Sequence, residues 1–256
     1  MKRLPDSLRA LGRGEPPTTV DVDGGRYALA RVFKHDFFAA TALYEGERGK
    51  IVLKIGRRAD FLGLPTLWIG RLLAGNEAAV LRDLHDLDAV PTCLGRWGDT
   101  GVVHEYVEGA HLTRDSGVPD DFFSELRRVV DTIHRRNIAV VDLEKPQNVL
   151  LGDDGRPHLV DFQIALRVSE RTARTWPPVR WLLRRFQEGD RYHLLKLQRR
   201  FRRDQLTDDQ VRQSYRKPIW VRWHGWITRP LLKLRRHTLN RLDPARQVSE
   251  RGTVGG

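Results

Sequence analysis

Residues 134–163 read HRRNIAVVDLEKPQNVLLGDDGRPHLVDFQ, and they decide the fold. Three oxygen-bearing side chains, Asp142, Asn148 and Asp161, are separated by short apolar runs. Val149-Leu150-Leu151 and His158-Leu159-Val160 flank Gly152-Asp153-Asp154-Gly155, which predicts a hairpin across that turn. The hairpin would bring Asn148 and Asp161 close together. Hard oxygen donors of this type suit Mg2+, and a shared ion requires just such proximity. An ordinary hairpin with acidic flanks is the plainer alternative.

Upstream, Lys50-Ile51-Val52-Leu53-Lys54-Ile55 reads as a strand that ends near a lysine. Asn76-Glu77 opens a run with Ala79, Val80, Leu84 and Leu87 at helical spacing, so Glu77 is expected on the first turns of a helix. Lys54 could be a solvated strand-end lysine, and Glu77 an acid favoured by the helix dipole. Their order ahead of Asp142 favours a Lys54–Glu77 pair. Val102-Val103-His104-Glu105-Tyr106-Val107-Glu108-Gly109 reads as a strand running into a turn.

On these residues the chain resembles the bacterial lipopolysaccharide kinases, the Kdo and heptose kinases of the lipopolysaccharide core, and more distantly the RIO kinases. The carrying segments are Val52-Leu53-Lys54, Asn76-Glu77, Ala89-Val90-Pro91-Thr92, Glu105 to Gly109, Asp142 to Leu151, and Leu159-Val160-Asp161-Phe162. The resemblance covers about Ala28 to Arg167. It implies an α+β, atypical two-lobed protein-kinase-like fold with a reduced C-lobe and a basic helical C-terminal extension. It also implies an ATP-dependent kinase. Lys54, held by Glu77, would grip the nucleotide phosphates. Backbone groups at Glu105 and Val107 would take the adenine. Asp142 would be the catalytic acid–base residue, and Asn148 and Asp161 would hold Mg2+.

Several features depart from that pattern. No glycine-rich loop precedes Lys54; Phe33-Lys34-His35-Asp36-Phe37-Phe38-Ala39-Ala40-Thr41 stands in its place. Val140-Val141 replaces the usual His-Arg, which argues against control by an activation-loop phosphate. Five residues separate Asp142 from Asn148 where the pattern has four, so Glu144 and Lys145 are shifted. Gln163 replaces the usual glycine, and no Ala-Pro-Glu follows, so a peptide-docking platform looks absent.

The length suits one unit with two lobes. The expected division is an N-terminal segment 1–27, an N-lobe 28–104, a hinge and catalytic core 105–170, a basic Trp-rich helical region 171–246, and a disordered tail 247–256. The lone Cys93 excludes an internal disulfide framework and reads as a small apolar residue. Neither a signal peptide nor a transmembrane run is expected. Of the net charge of +12, residues 167–256 hold 23 Lys and Arg against 8 Asp and Glu. Trp176-Pro177-Pro178 marks a helix start within 171–204, followed by Trp220, Trp223 and Trp226 among further cations. Trp beside Lys and Arg suits an anionic membrane surface; Trp in a core with solvated arginines is the alternative. Nucleic acid is disfavoured because no reading motif accompanies the charge.

Three functions stay open from the sequence. One is a phosphotransferase acting on a membrane glycolipid, such as a lipopolysaccharide core sugar, from a cytoplasmic and peripheral inner-membrane position. The second is an atypical RIO-like protein serine/threonine kinase. The third is a pseudokinase that binds a partner or a membrane.

Overall fold

The computed structural model describes residues 5–61, 63–113 and 116–216. The described residues up to Tyr215 form one compact unit. The Trp220–Trp226 segment and the expected tail 247–256 lie outside the described residues.

The first half of the large unit is a six-stranded antiparallel sheet. Its strands are β1 (Thr19–Val22), β2 (Gly25–His35), β3 (Ala39–Gly46), β4 (Gly49–Gly56), β5 (Cys93–Trp97) and β6 (Gly101–Glu105), in the order β1-β2-β3-β4-β6-β5. β1 and β2 are joined through Asp23 (φ 49°) and Gly24 (φ 70°), the two left-handed positions of a type I′ hairpin turn. The sheet therefore begins at Thr19, ahead of residue 28, and Val20 and Tyr27 enter its core.

β4 is buried on both faces, and its alternation sorts its residues between two cores. Ile51, Leu53 and Ile55 pack with Ala42, Tyr44 and Val103 on one face. Val52 and Lys54 point to the other, where α1 (Leu67–Asp83) lies. This helix starts nine residues before Asn76, which places Glu77 in its third turn. Gly70, Ala74, Ala78 and Leu81 form its buried stripe. Gly70 is needed for close approach: a Cβ there would stand 2.2 Å from the Arg57 carbonyl oxygen. Gly70 and Gly75 are weak helix formers, so the sequence pattern hides the first two turns.

The second half supplies β7 (Gly109–His111), α2 (Phe122–Arg135), β8 (Ile138–Ala139), β9 (Val149–Gly152), β10 (Pro157–Leu159), β11 (Leu166–Arg167), α3 (Glu170–Thr175), α4 (Pro177–Phe201) and α5 (Asp208–Tyr215). The β9–β10 hairpin forms as expected, with Val149 opposite Leu159. α2 buries Phe122, Leu126, Val130 and Ile133, an apolar stripe at helical spacing. α4 begins at Pro177 directly after Trp176, since proline at the first helical position costs no hydrogen bond. Its Leu194 and Leu197 join Ala78, Val102, Leu126, Ile133, Leu143, Val149 and Phe162 in one core that runs from the sheet side to the helical side. Residues 171–215 thus pack within the same unit as residues 116–170. Cys93 is half-buried against that core. Among the described residues, no helix is long and apolar enough to cross a membrane.

Candidate active site

Lys54 is the centre of the site. Its Nζ lies 3.0 Å from Glu77 Oε1 and 2.5 Å from Asp161 Oδ1. Lys54 and Glu77 are both buried, so neither of their plainer surface readings survives. Burial alone would depress the Lys54 pKa, but the Glu77 and Asp161 carboxylates outweigh it and raise it. Burial pushes the Glu77 carboxyl upward against the pull of Lys54. For Asp161, burial is likewise opposed by Lys54, and further by Lys34 and Lys145, which hold its pKa down at about 2. The carboxylate is therefore ionised at neutral pH.

Asp161 is brought there by the chain just after β10. Its backbone sits in the left-handed region at φ 68°, a conformation that a non-glycine residue keeps only where its surroundings impose it. Asn76 imposes part of it. From α1 its Nδ2 donates to Gln163 O (3.3 Å) and Ala165 O (2.8 Å), tying the helix of Glu77 to the segment after Asp161. Arg167 closes the same junction on Asp83, 2.5 Å away.

Asp142 and Asn148 occupy the loop between β8 and β9. Asn148 is buried, and its Nδ2 donates to the Asp142 carbonyl at 3.1 Å, which leaves its amide oxygen as the atom that could meet a cation. Asp142 Oδ2 lies 2.5 Å from Lys145 Nζ. The residue before it, Val141, has φ 70°, a strained value for a β-branched side chain. Asp190 of α4 secures this turn. Its carboxylate accepts from Val140 N and Val141 N, both at 2.8 Å, and meets His134 Nε2 at 2.9 Å. Asp190 is 1% exposed. Sequence reasoning missed it, yet a signal existed: an acid at the heptad spacing of buried Leu183, Asp190, Leu194 and Leu197. The extra residue in the loop also finds a place, because Glu144 reaches outward to Lys196 at 2.8 Å while Lys145 turns to Asp142.

The segment after β6 divides the two expected backbone contacts. Glu105 N donates to Thr92 O (2.9 Å), and Glu105 O accepts from His104 Nδ1 (2.8 Å). Among the described residues, the main-chain groups of Val107 enter no hydrogen bond and are open to a ligand. Burial first of all lowers the His104 pKa to about 4, so the imidazole is neutral at physiological pH.

The absent glycine-rich loop is replaced by an aspartate turn. Asp36 Oδ1 accepts from Phe38 N (2.8 Å) and Ala39 N (3.1 Å), and Asp36 N donates to Ala39 O. Fully buried Arg57 braces it from behind. Its guanidinium donates to Phe37 O (3.0 Å), Ser7 O (3.0 Å), Asp60 O (3.1 Å) and Thr66 Oγ1 (2.9 Å), and lies over the Phe37 ring.

The donor set fits Mg2+ in one manner only. Among the described residues, no group of three or more His, Cys, Asp or Glu side chains would hold a metal unaided. One ionised carboxylate and one amide oxygen match an ion that takes its remaining ligands from phosphate and water.

No protein-family model matches this sequence, and no curated protein matches it. The chain is similar to the crystal structure of the Rio2 kinase from Chaetomium thermophilum, with a TM-score of 0.51 and 16% identity over 70% of this chain and 61% of that one. It is also similar to the Rio2 kinase–ADP/Mg2+–phosphoaspartate complex from the same organism, with a TM-score of 0.52 and 16% identity over 78% and 63% of the two chains. The chain thus spans about three-fifths of those proteins. At this identity the likeness carries the fold, and the fold is protein-kinase-like. Both of these structures are RIO kinases, the more distant of the relatives that the sequence suggests.

Proposed function

We propose that the chain is an ATP-dependent phosphotransferase that moves a phosphoryl group to a hydroxyl. The observation that carries this reading is the buried Lys54 ammonium, shared between Glu77 and Asp161 beside the Asp142–Asn148 loop. Phosphoryl transfer relies mainly on positioning and charge neutralisation, and these residues supply both. Lys54 binds the phosphates and Glu77 keeps it in place. Val107 receives the base through its main-chain groups. Asn148 and Asp161 would hold Mg2+, which supplies neutralisation of phosphate charge when bound. Asp142 orients the acceptor hydroxyl and takes its proton, while Asp190 keeps the loop that carries it in register.

For the acceptor, the reading favours a membrane glycolipid of the lipopolysaccharide-core type, reached from a cytoplasmic, peripheral position. Its support is the start of α4 and the residue before it, where Trp176 (63% exposed), Trp181 (57%) and Leu182 (43%) stand beside exposed Arg180 and Arg184. Exposed indoles among cations suit the headgroup region of an anionic membrane. The likeness to Rio2 kinase favours a second reading, a protein hydroxyl as acceptor.

The test is transfer from γ-labelled ATP and Mg2+ in solubilised bacterial envelope, comparing wild type with Asp161→Ala. Label in glycolipid that the variant loses is the expected result. Label confined to protein selects the second reading. No transfer together with no Mg-ATP binding overturns both and leaves a pseudokinase.

A further inference from the structure

The loop over the site cannot offer phosphate its amides in the usual manner, because Asp36 already takes Phe38 N and Ala39 N. The sheet register shows what stands in their place. Lys34 of β2 pairs with Thr41 of β3, Thr41 with Lys54 of β4, and Lys54 with Val102 of β6. Directly opposed residues project from the same face of a sheet. Lys34, Thr41 and Lys54 therefore form one row on the face that looks toward Glu77 and Asp161. At the usual strand spacing the Lys34 and Lys54 backbones are roughly 10 Å apart.

We infer that Lys34 is a phosphate-binding residue, supplying from the roof of the site the positive donor that a glycine-rich loop supplies through backbone amides. This rests on the phosphotransferase reading. Lys34 is half exposed, and its Nζ is 2.8 Å from Asp36 Oδ2. An ammonium has three donors, so two remain for a ligand. Asp36 acts as a positioning residue: one oxygen closes the turn and the other aims the lysine. The turn itself is braced by Arg57 through Phe37 O, so the aim is fixed by a buried contact. The Lys34 charge already acts on Asp161 together with those of Lys54 and Lys145. A nucleotide phosphate at Asp161 would then meet a lysine from each of three directions: β2, β4 and the Asp142 loop.

The experiment is calorimetric titration of folded full-length wild type, Lys34→Met and Lys34→Arg with Mg-ATP and separately with adenosine. Loss of one charged contact predicts about tenfold weaker Mg-ATP binding by Lys34→Met. Adenosine affinity should be unchanged, and Lys34→Arg should retain most of the Mg-ATP affinity. Equal Mg-ATP affinity in Lys34→Met and wild type overturns the inference while leaving the phosphotransferase reading intact. An equal loss for adenosine overturns it as well, because the effect is then general distortion. Wild type that binds no Mg-ATP overturns the phosphotransferase reading and the inference together.

Discussion

The floor and the roof of the candidate site solve the same electrostatic problem with different parts. On the floor, Asp142, Asn148 and Asp161 stand in the order of the protein-kinase pattern, and the single inserted residue is absorbed by letting Glu144 point outward. On the roof, the glycine loop is gone, and an aspartate turn with a lysine occupies its place. The difference is chemical. An acid–base group and hard oxygen ligands have few substitutes among the twenty side chains, whereas a donor to phosphate can be a backbone amide or an ammonium. The floor therefore keeps its residue types and the roof keeps only its charge sign.

If the floor carries the chemistry, Asp142→Asn should show the largest effect. Transfer should fall by about 10²- to 10⁴-fold, the range of a lost general base, with Mg-ATP affinity unchanged. Retained turnover would move the base elsewhere. Asp190→Ala should come next. It leaves two main-chain N–H groups and His134 without their buried acceptor, beside the strained Val141. A loss of about 3 kcal/mol in urea-unfolding stability is expected. A loss below about 1 kcal/mol would show that the turn holds itself.

Two further steps are expected in stability against pH, one from each side of the sheet–loop contact. The folded His104 pKa is lowered to about 4, so the unfolded chain binds its proton first as pH falls, and stability should decline between about pH 6.5 and 4. Asp161 is held at about 2, so its contribution is complete above about pH 4 and is lost as pH falls toward 2. Denaturation midpoints measured from pH 7 to 2 should show both steps. His104→Gln should remove the upper one and Asp161→Asn the lower one. A profile unaltered by Asp161→Asn would contradict the Lys54–Asp161 pairing.

Much of this site is legible in the amino-acid sequence. The β9–β10 hairpin follows from two apolar runs around a Gly-Asp-Asp-Gly turn, and Lys54 follows from the apolar strand run Ile51 to Ile55 that it interrupts. The start of α1 is not legible there, because Gly70 serves close packing at a cost in helix propensity and Gly75 weakens the helical pattern further. For the same reason Glu77 reads as an N-terminal acid when it is a buried partner in mid-helix. The exposed Trp176 and Trp181 are visible as residues, but only their surroundings separate a surface indole from a core one.

What the sequence by itself determined is local: residue chemistry, its order, and turns and strands whose period is written in neighbouring positions. The tertiary structure decided what depends on distant segments meeting. Asp190 reaches the Asp142 loop across some fifty residues, Arg57 gathers carbonyls from Ser7, Phe37 and Asp60, and a sheet register aligns Lys34 with Lys54. A single sequence records the polar group but not its partner. Partnership is set by burial, where an unpaired donor or charge costs too much to survive, and burial exists only once the chain has folded.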